Sequence, residues 1–178
     1  MNETSWLYGY FEISMSFPPV AGMWPALWLE NEAATTSYVP TASSTHSYGE
    51  LDMIEWQSQT PNTYNGTIHD WYGTSSVSDQ QNNDGSNTAT FPMGTNLAAY
   101  NTYGVLWTPT EIVWYFNNEE MIAATAANYP QAFSTFNASP MYLMLSNQPG
   151  SNWGGSGSVE PSAETVMKVQ WVHVWQSP

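Results

Sequence analysis

From Leu7 to Phe17 the chain reads LYGYFEISMSF, mixing apolar and polar residues at the period of two of a half-buried strand, and it stops at Pro18-Pro19. Similar segments recur. Met23 to Leu29 is a dense apolar run, Leu51 to Trp56 a further strand, and Tyr64 to His69 its partner after a turn at Thr60-Pro61-Asn62. Thr102 to Thr108 and Glu111 to Phe116 form a hairpin across Thr108-Pro109-Thr110. Asn117-Asn118-Glu119-Glu120 turns the chain into Met121 to Ala127, whose alanines admit a helix although the run is short. Met141 to Ser146 and Val166 to Trp175 complete the strands. Glu32 to Ser47, Ser75 to Asn87 and Gly150 to Gly157 read as loops, and the second is polar enough to be the best candidate for disorder. With no helical period of useful length and no repeat, short punctuated strands predict an all-β fold, an antiparallel β-sandwich, as one domain over residues 1–178.

One strand breaks its own pattern. In GELDMIEWQS, Gly49 to Ser58, the acids Glu50 and Asp52 share a face at period two, whereas Glu55 should point to the other. A β-bulge at Met53-Ile54 would absorb one residue, reset the parity and bring all three carboxylates to one face, as bulges beside active sites do. Glu50 and Glu55 would then lie roughly 13 Å apart at Cα, at ~3.3 Å per residue. Side chains leaning together can close to the ~5–5.5 Å between the nucleophile and the acid/base of a retaining glycosidase. Three carboxyls on one face cannot all ionise cheaply, so at least one pKa should be raised and their titrations coupled. Two alternatives stand beside this one. Some of the acids could line the solvated face of an edge strand, or the cluster could hold calcium; the second is weaker, because Leu51, Met53, Ile54 and Trp56 mark a buried strand rather than a calcium loop.

Composition narrows the choice. Fifteen acidic residues face the single Lys168 and no arginine, a formal net charge of −14. Nucleic acid and anionic membrane surfaces are thereby disfavoured, since phosphate binding needs Lys and Arg. An uncharged or cationic ligand fits better. Aromatic residues make up 15% of the chain, which suits either a sugar cleft, where pyranose rings stack on aromatic faces, or a β-rich core. There is no cysteine, hence no disulfide framework and no thiol nucleophile, and no apolar run long enough to span a membrane.

GELDMIEW resembles the catalytic signature of glycoside hydrolase family 16, E-x-D-x-x-E, in the bulged form of its laminarinase-like branch. Gly22-Met23-Trp24-Pro25-Ala26-Leu27-Trp28 is similar to that family's G-x-W-P-A-x-W segment, and Tyr103 to Pro109 to its Y-x-x-x-W-T-P hairpin. Tyr8 to Glu12, Gly66 to His69 and Met141 to Trp153 also match in order, so the likeness spans nearly the whole chain. It implies a concanavalin-like β-jelly roll and retaining, endo-acting cleavage of a polysaccharide, commonly a β-1,3- or β-1,3/1,4-glucan. By the same resemblance Glu50 is the nucleophile, Asp52 its hydrogen-bonding helper and Glu55 the acid/base, and the protein is secreted. No cofactor is required. Other branches act on galactans and exopolysaccharides.

The chain also departs from the family. It begins almost at the Tyr8 strand, as if lacking the family's N-terminal strands, which leaves a sheet edge exposed. The expected state is therefore a monomer or a weak homo-oligomer through that edge. Gln170 stands where the family often has a calcium-ligating aspartate, which argues against a structural calcium ion. Arginines common near the cleft are missing, so the sugar and linkage are not carried over. Trp24, Trp28 and Trp153 are candidate stacking platforms, with core packing favoured for at least one. His69 could orient Glu50 or bind a hydroxyl, and a structural role is as good a reading. Asn147, like Asn152, either bonds substrate or shapes its loop, whereas Trp107 and Trp114 should pack between the sheets. A non-catalytic carbohydrate-binding jelly roll and a transglycosylase are the competing readings; three retained carboxylates argue against the first.

Overall fold

The computed structural model describes residues 4–17, 19–31, 45–74, 80–149 and 165–177. Eleven strands and one helix follow in the order β1 (Ser5–Trp6), β2 (Gly9–Ser16), β3 (Met23–Asn31), β4 (Thr45–Trp56), β5 (Thr63–Thr74), β6 (Gln80–Thr90), β7 (Asn101–Trp107), β8 (Glu111–Phe116), β9 (Glu119–Thr125), α1 (Pro130–Phe136), β10 (Met141–Pro149) and β11 (Lys168–Trp175). They build a six-stranded sheet, β1-β10-β3-β4-β5-β6, and a five-stranded sheet, β11-β2-β7-β8-β9, both antiparallel. The expected β-sandwich is the observed one.

Alternation along each strand sends one set of side chains between the sheets. Phe11, Ile13 and Met15 of β2, Leu27 and Leu29 of β3, and Val105 and Trp107 of β7 are all buried there. Trp56, Trp107 and Trp114 are the largest fully buried side chains, so the two tryptophans assigned to the space between the sheets lie in it. The β8–β9 hairpin turns on Asn117 and Asn118, with φ of 48° and 68°. Asparagine tolerates this left-handed backbone, which a two-residue hairpin with primed-turn geometry requires at both positions.

Three readings change. Met121 to Ala127 is not helical, because Glu119–Thr125 pairs with β8 from Glu111↔Thr125 to Phe116↔Glu119. The helix comes next, at Pro130–Phe136, with proline in its first turn and Ala132, Phe133 and Phe136 buried. At seven residues it is too short to show a period. The polar stretch Ser75 to Asn87 is not wholly a loop, since Gln80–Thr90 pairs with β5 along its length. Backbone hydrogen bonds carry such an edge strand whatever its side chains. Residues 75–79 lie outside the described segments.

Helix α1 closes the sandwich against β4 and β5. Phe136 packs so tightly on Gly49 that a Cβ there would lie 2.2 Å from its ring. The Gly49 N–H donates to Asn31 Oδ1 at 2.6 Å, and Thr135 Oγ1 donates to Asp70 at 2.7 Å. Both contacts fix the half of β4 and β5 that leads into the acidic segment.

Candidate active site

The β4–β5 register runs Glu50↔His69, Leu51↔Ile68 and Asp52↔Thr67, then jumps to Glu55↔Asn65. Three steps on β4 oppose two on β5. Against β3 the same shift lies between Trp28↔Asp52 and Leu27↔Ile54. The bulge is thus at Met53-Ile54, where the parity problem placed it. Leu51, Met53, Ile54 and Trp56 all go to the core, and Glu50, Asp52 and Glu55 share the opposite face.

A tryptophan of the other sheet braces the bulge. The Trp114 indole N–H donates to the Asp52 carbonyl at 2.7 Å, capping a backbone acceptor at the irregularity. It reaches that far because Gly66 has no side chain: a Cβ there would sit 2.6 Å from Trp114 Nε1.

Across β3 the neighbours of Glu55, Asp52 and Glu50 are Ala26, Trp28 and Glu30; across β5 they are Asn65, Thr67 and His69. Trp24 and Trp28 are partly buried on this carboxylate face, outside the core cluster, rather than between the sheets. His69 Nε2 lies 2.8 Å from Asp52 Oδ2, so the histidine is partnered to the helper acid and not to Glu50 alone. Ligand atoms of Glu50, Asp52 and His69 fall within 4.8 Å of one another. Two carboxylates and an imidazole are a donor set a transition metal could use, but here His69 and Asp52 are hydrogen-bonded to each other.

Burial dominates the electrostatics. It pushes the Glu55 carboxyl up to about 8, with the Asp52 charge pushing the same way and His69 and Trp24 pulling it down. Burial pushes Asp52 up as well, against its hydrogen bond with Glu55. The same burial pushes the His69 imidazole down, although Glu50 and Glu55 favour its charged form. Desolvation therefore favours the neutral form of each, and the three titrate as a coupled group.

One neighbour of Glu50 was not foreseen from the sequence. Glu30 stands opposite it on β3 and accepts a short hydrogen bond from the Tyr142 hydroxyl of β10. Burial raises the Glu30 pKa, and Tyr142 opposes this. The signal was present, since Glu30 continues the two-residue step Trp24, Ala26, Trp28.

Asn147 donates from Nδ2 to the Thr165 carbonyl at 2.8 Å, tying β10 to the segment before β11. Trp153 lies outside the described residues. Gln170 sits at a bulge of β11 and accepts from Ser14 Oγ at 3.0 Å.

Comparison with known proteins places this two-sheet sandwich with its acid-lined face in a family. The chain belongs to glycosyl hydrolases family 16, whose model matches residues 2–173. It is 34% identical over 140 residues to the endo-1,3-1,4-beta-glycanase EglC of Rhizobium meliloti (strain 1021), a match covering 78% of this chain and 24% of that protein. It is 30% identical over 180 residues to a keratan-sulfate endo-1,4-beta-galactosidase of Sphingobacterium multivorum, covering 100% of this chain and 39% of that one. The laminarinase catalytic domain of Thermotoga maritima shares the fold with a TM-score of 0.71 at 21% identity, over 98% of this chain and 66% of that domain. The chain thus spans about a quarter of EglC and less than half of the galactosidase.

Proposed function

We propose that this chain is a retaining, endo-acting hydrolase of β-glycosidic bonds in a polysaccharide, acting on a β-1,3- or β-1,3/1,4-glucan. The observation that carries this reading is the bulge, which puts Glu55 on the face of Glu50 and Asp52. Glu50 attacks the anomeric carbon as the glycosidic C–O bond breaks, and Glu55 gives its proton to the departing oxygen. Glu55, now a carboxylate, takes a proton from water, which attacks the same carbon and frees Glu50. Asp52, hydrogen-bonded to His69 and Glu55, positions the pair and shares their proton load. Trp24 and Trp28 flank the acids as stacking surfaces. No step calls for a metal or other cofactor.

Names of relatives support glucan as substrate, among them a beta-glucanase of Rhodothermus marinus and a glucan endo-1,3-beta-glucosidase of Cryptopygus antarcticus. The galactosidase relative makes β-galactan the comparison substrate. Among the described residues no helix is long and apolar enough to cross a membrane. Extracellular action fits the family and a polymeric substrate. Strand β11 lies at a sheet edge, where a second copy would add only weakly across an acidic surface.

Reducing-end release from laminarin, lichenan and a β-galactan tests the reading. Glucan hydrolysis that disappears in Glu50→Gln while glucan binding persists is expected; an unchanged rate in Glu50→Gln would sink the assignment of the nucleophile.

A further inference from the structure

The outer face of the five-stranded sheet, on the opposite side of the sandwich from the carboxylates, carries a second constructed surface. Phe11 and Ile13 point to the core, so Tyr10 and Glu12 point outward, and the register sets Trp175 beside Tyr10 and His173 beside Glu12. Tyr10 leans over Gly104, where a Cβ would meet its hydroxyl at 2.5 Å and its ring at 3.0 Å. Glycine lets the phenol lie down on the sheet. Trp175, half exposed, is stacked with Tyr10 at 5.5 Å and 30°, extending that ring into a wider aromatic surface.

This surface borders a cavity of about 600 Å³ lined by Tyr10, Trp175, Leu106, Thr108, Pro109 and Gln176. The volume falls within the range of small-ligand sites, and the lining combines aromatic and apolar walls with a few polar groups. Its rim is held in place: Gln176 Nε2 donates to the carbonyls of Leu7 and Tyr8, both at 3.1 Å, and the Tyr10 hydroxyl lies 3.2 Å from Glu12.

We infer that this cavity is a second saccharide-binding site, taking one or two neutral hexopyranose units of a polysaccharide chain. The CH face of a pyranose stacks on Tyr10 and Trp175, and its edge hydroxyls meet Gln176 and the Tyr10–Glu12 pair. Charge selects a neutral sugar. Glu12 adjoins the platform and the whole chain carries −14, so sulfated or uronic-acid polymers are repelled. The identity of the polymer rests on the catalytic reading above, whereas the pocket itself stands on its own residues. Such a site would hold the enzyme on a long substrate while the other face cleaves.

Affinity electrophoresis in native gels containing laminarin or lichenan tests this. The host is Glu50→Gln, which does not consume the polymer, and it is compared with Glu50→Gln/Trp175→Ala and Glu50→Gln/Gly104→Ala. Thermal melting establishes that each variant is folded, and Trp175, being half exposed, can be removed without opening the core. The inference expects each second substitution to weaken retention about five- to tenfold, the loss of roughly one aromatic contact. Retention of Glu50→Gln/Trp175→Ala equal to that of its host, or no retention of the host, overturns it. Reducing-end release by the unmodified protein is read in parallel. Trp175-dependent retention without any hydrolysis would defeat the catalytic reading and leave the pocket standing; hydrolysis with Trp175-independent retention would do the reverse.

Discussion

Asp52 and Glu55 set how the protein responds to pH. In the proposed mechanism Glu55 must hold a proton to act as the acid, and burial that pushes its pKa up to about 8 keeps it protonated at neutral pH. Turnover is therefore expected to fall as pH rises through about 8, a limb that a pH profile of kcat/KM would show and that Glu55→Gln should remove along with about 10²–10⁴-fold of rate. Stability moves the same way. A carboxyl whose folded pKa lies above its unfolded value contributes stability that is complete below the unfolded pKa and lost as pH rises through the folded one. The melting temperature should thus drop between about pH 4, the ordinary Glu pKa, and about pH 8, and less steeply in Glu55→Gln than in the parent. His69→Ala leaves the buried Asp52 carboxyl without its 2.8 Å partner and should cost about 1–3 kcal/mol, measurable by denaturant unfolding. The three acids were legible because they crowd a chain otherwise poor in charge. Their protonation was legible only as a consequence of proximity; that burial is the larger cause required the structure. Glu30 lies on a neighbouring strand, so the acidic segment itself does not reveal it, although the alternation of β3 marks its face.

Strand β4 shows how a local irregularity becomes a site. One extra residue at Met53-Ile54 could be foreseen from parity alone, because leaving Glu55 on the core side would bury a charge among apolar neighbours. What holds the bulge could not. Trp114 is more than 60 positions away, on the opposing sheet, and no local pattern reveals which indole meets the Asp52 carbonyl. Trp114→Phe keeps an aromatic ring but deletes the donor and leaves a smaller side chain in the core, so it should destabilise the fold by at least about 1–3 kcal/mol and lower kcat more than it raises KM, since the shape of the bulge and not the sugar contacts is disturbed. Gly66→Ala should reproduce that kinetic signature by pushing the indole away. Equal effects on kcat and KM in both variants would mean that Trp114 does no more than fill space. Strand β6 and helix α1 were hidden for opposite reasons. The strand has backbone pairing without an apolar face, and the helix buries three residues in a segment shorter than two full turns of pattern.

The sandwich carries the carboxylates on one outer face and the Tyr10–Trp175 surface on the other, with the aromatic core between the sheets. An antiparallel β-sandwich was readable from strand spacing, because antiparallel strands announce themselves by punctuation, whereas the jelly roll followed from the family resemblance. Strand order was not, since β10 pairs between β1 and β3 from more than 100 residues away. The account stands or falls on whether the carboxylate face performs a double displacement. Proton NMR of the first products released from a β-1,3/1,4-glucan, taken before mutarotation, reads this directly. Two successive inversions at the anomeric carbon must yield the β-anomer first. Appearance of the α-anomer first would show a single displacement, and would contradict Glu50 as nucleophile and Glu55 as its acid/base partner.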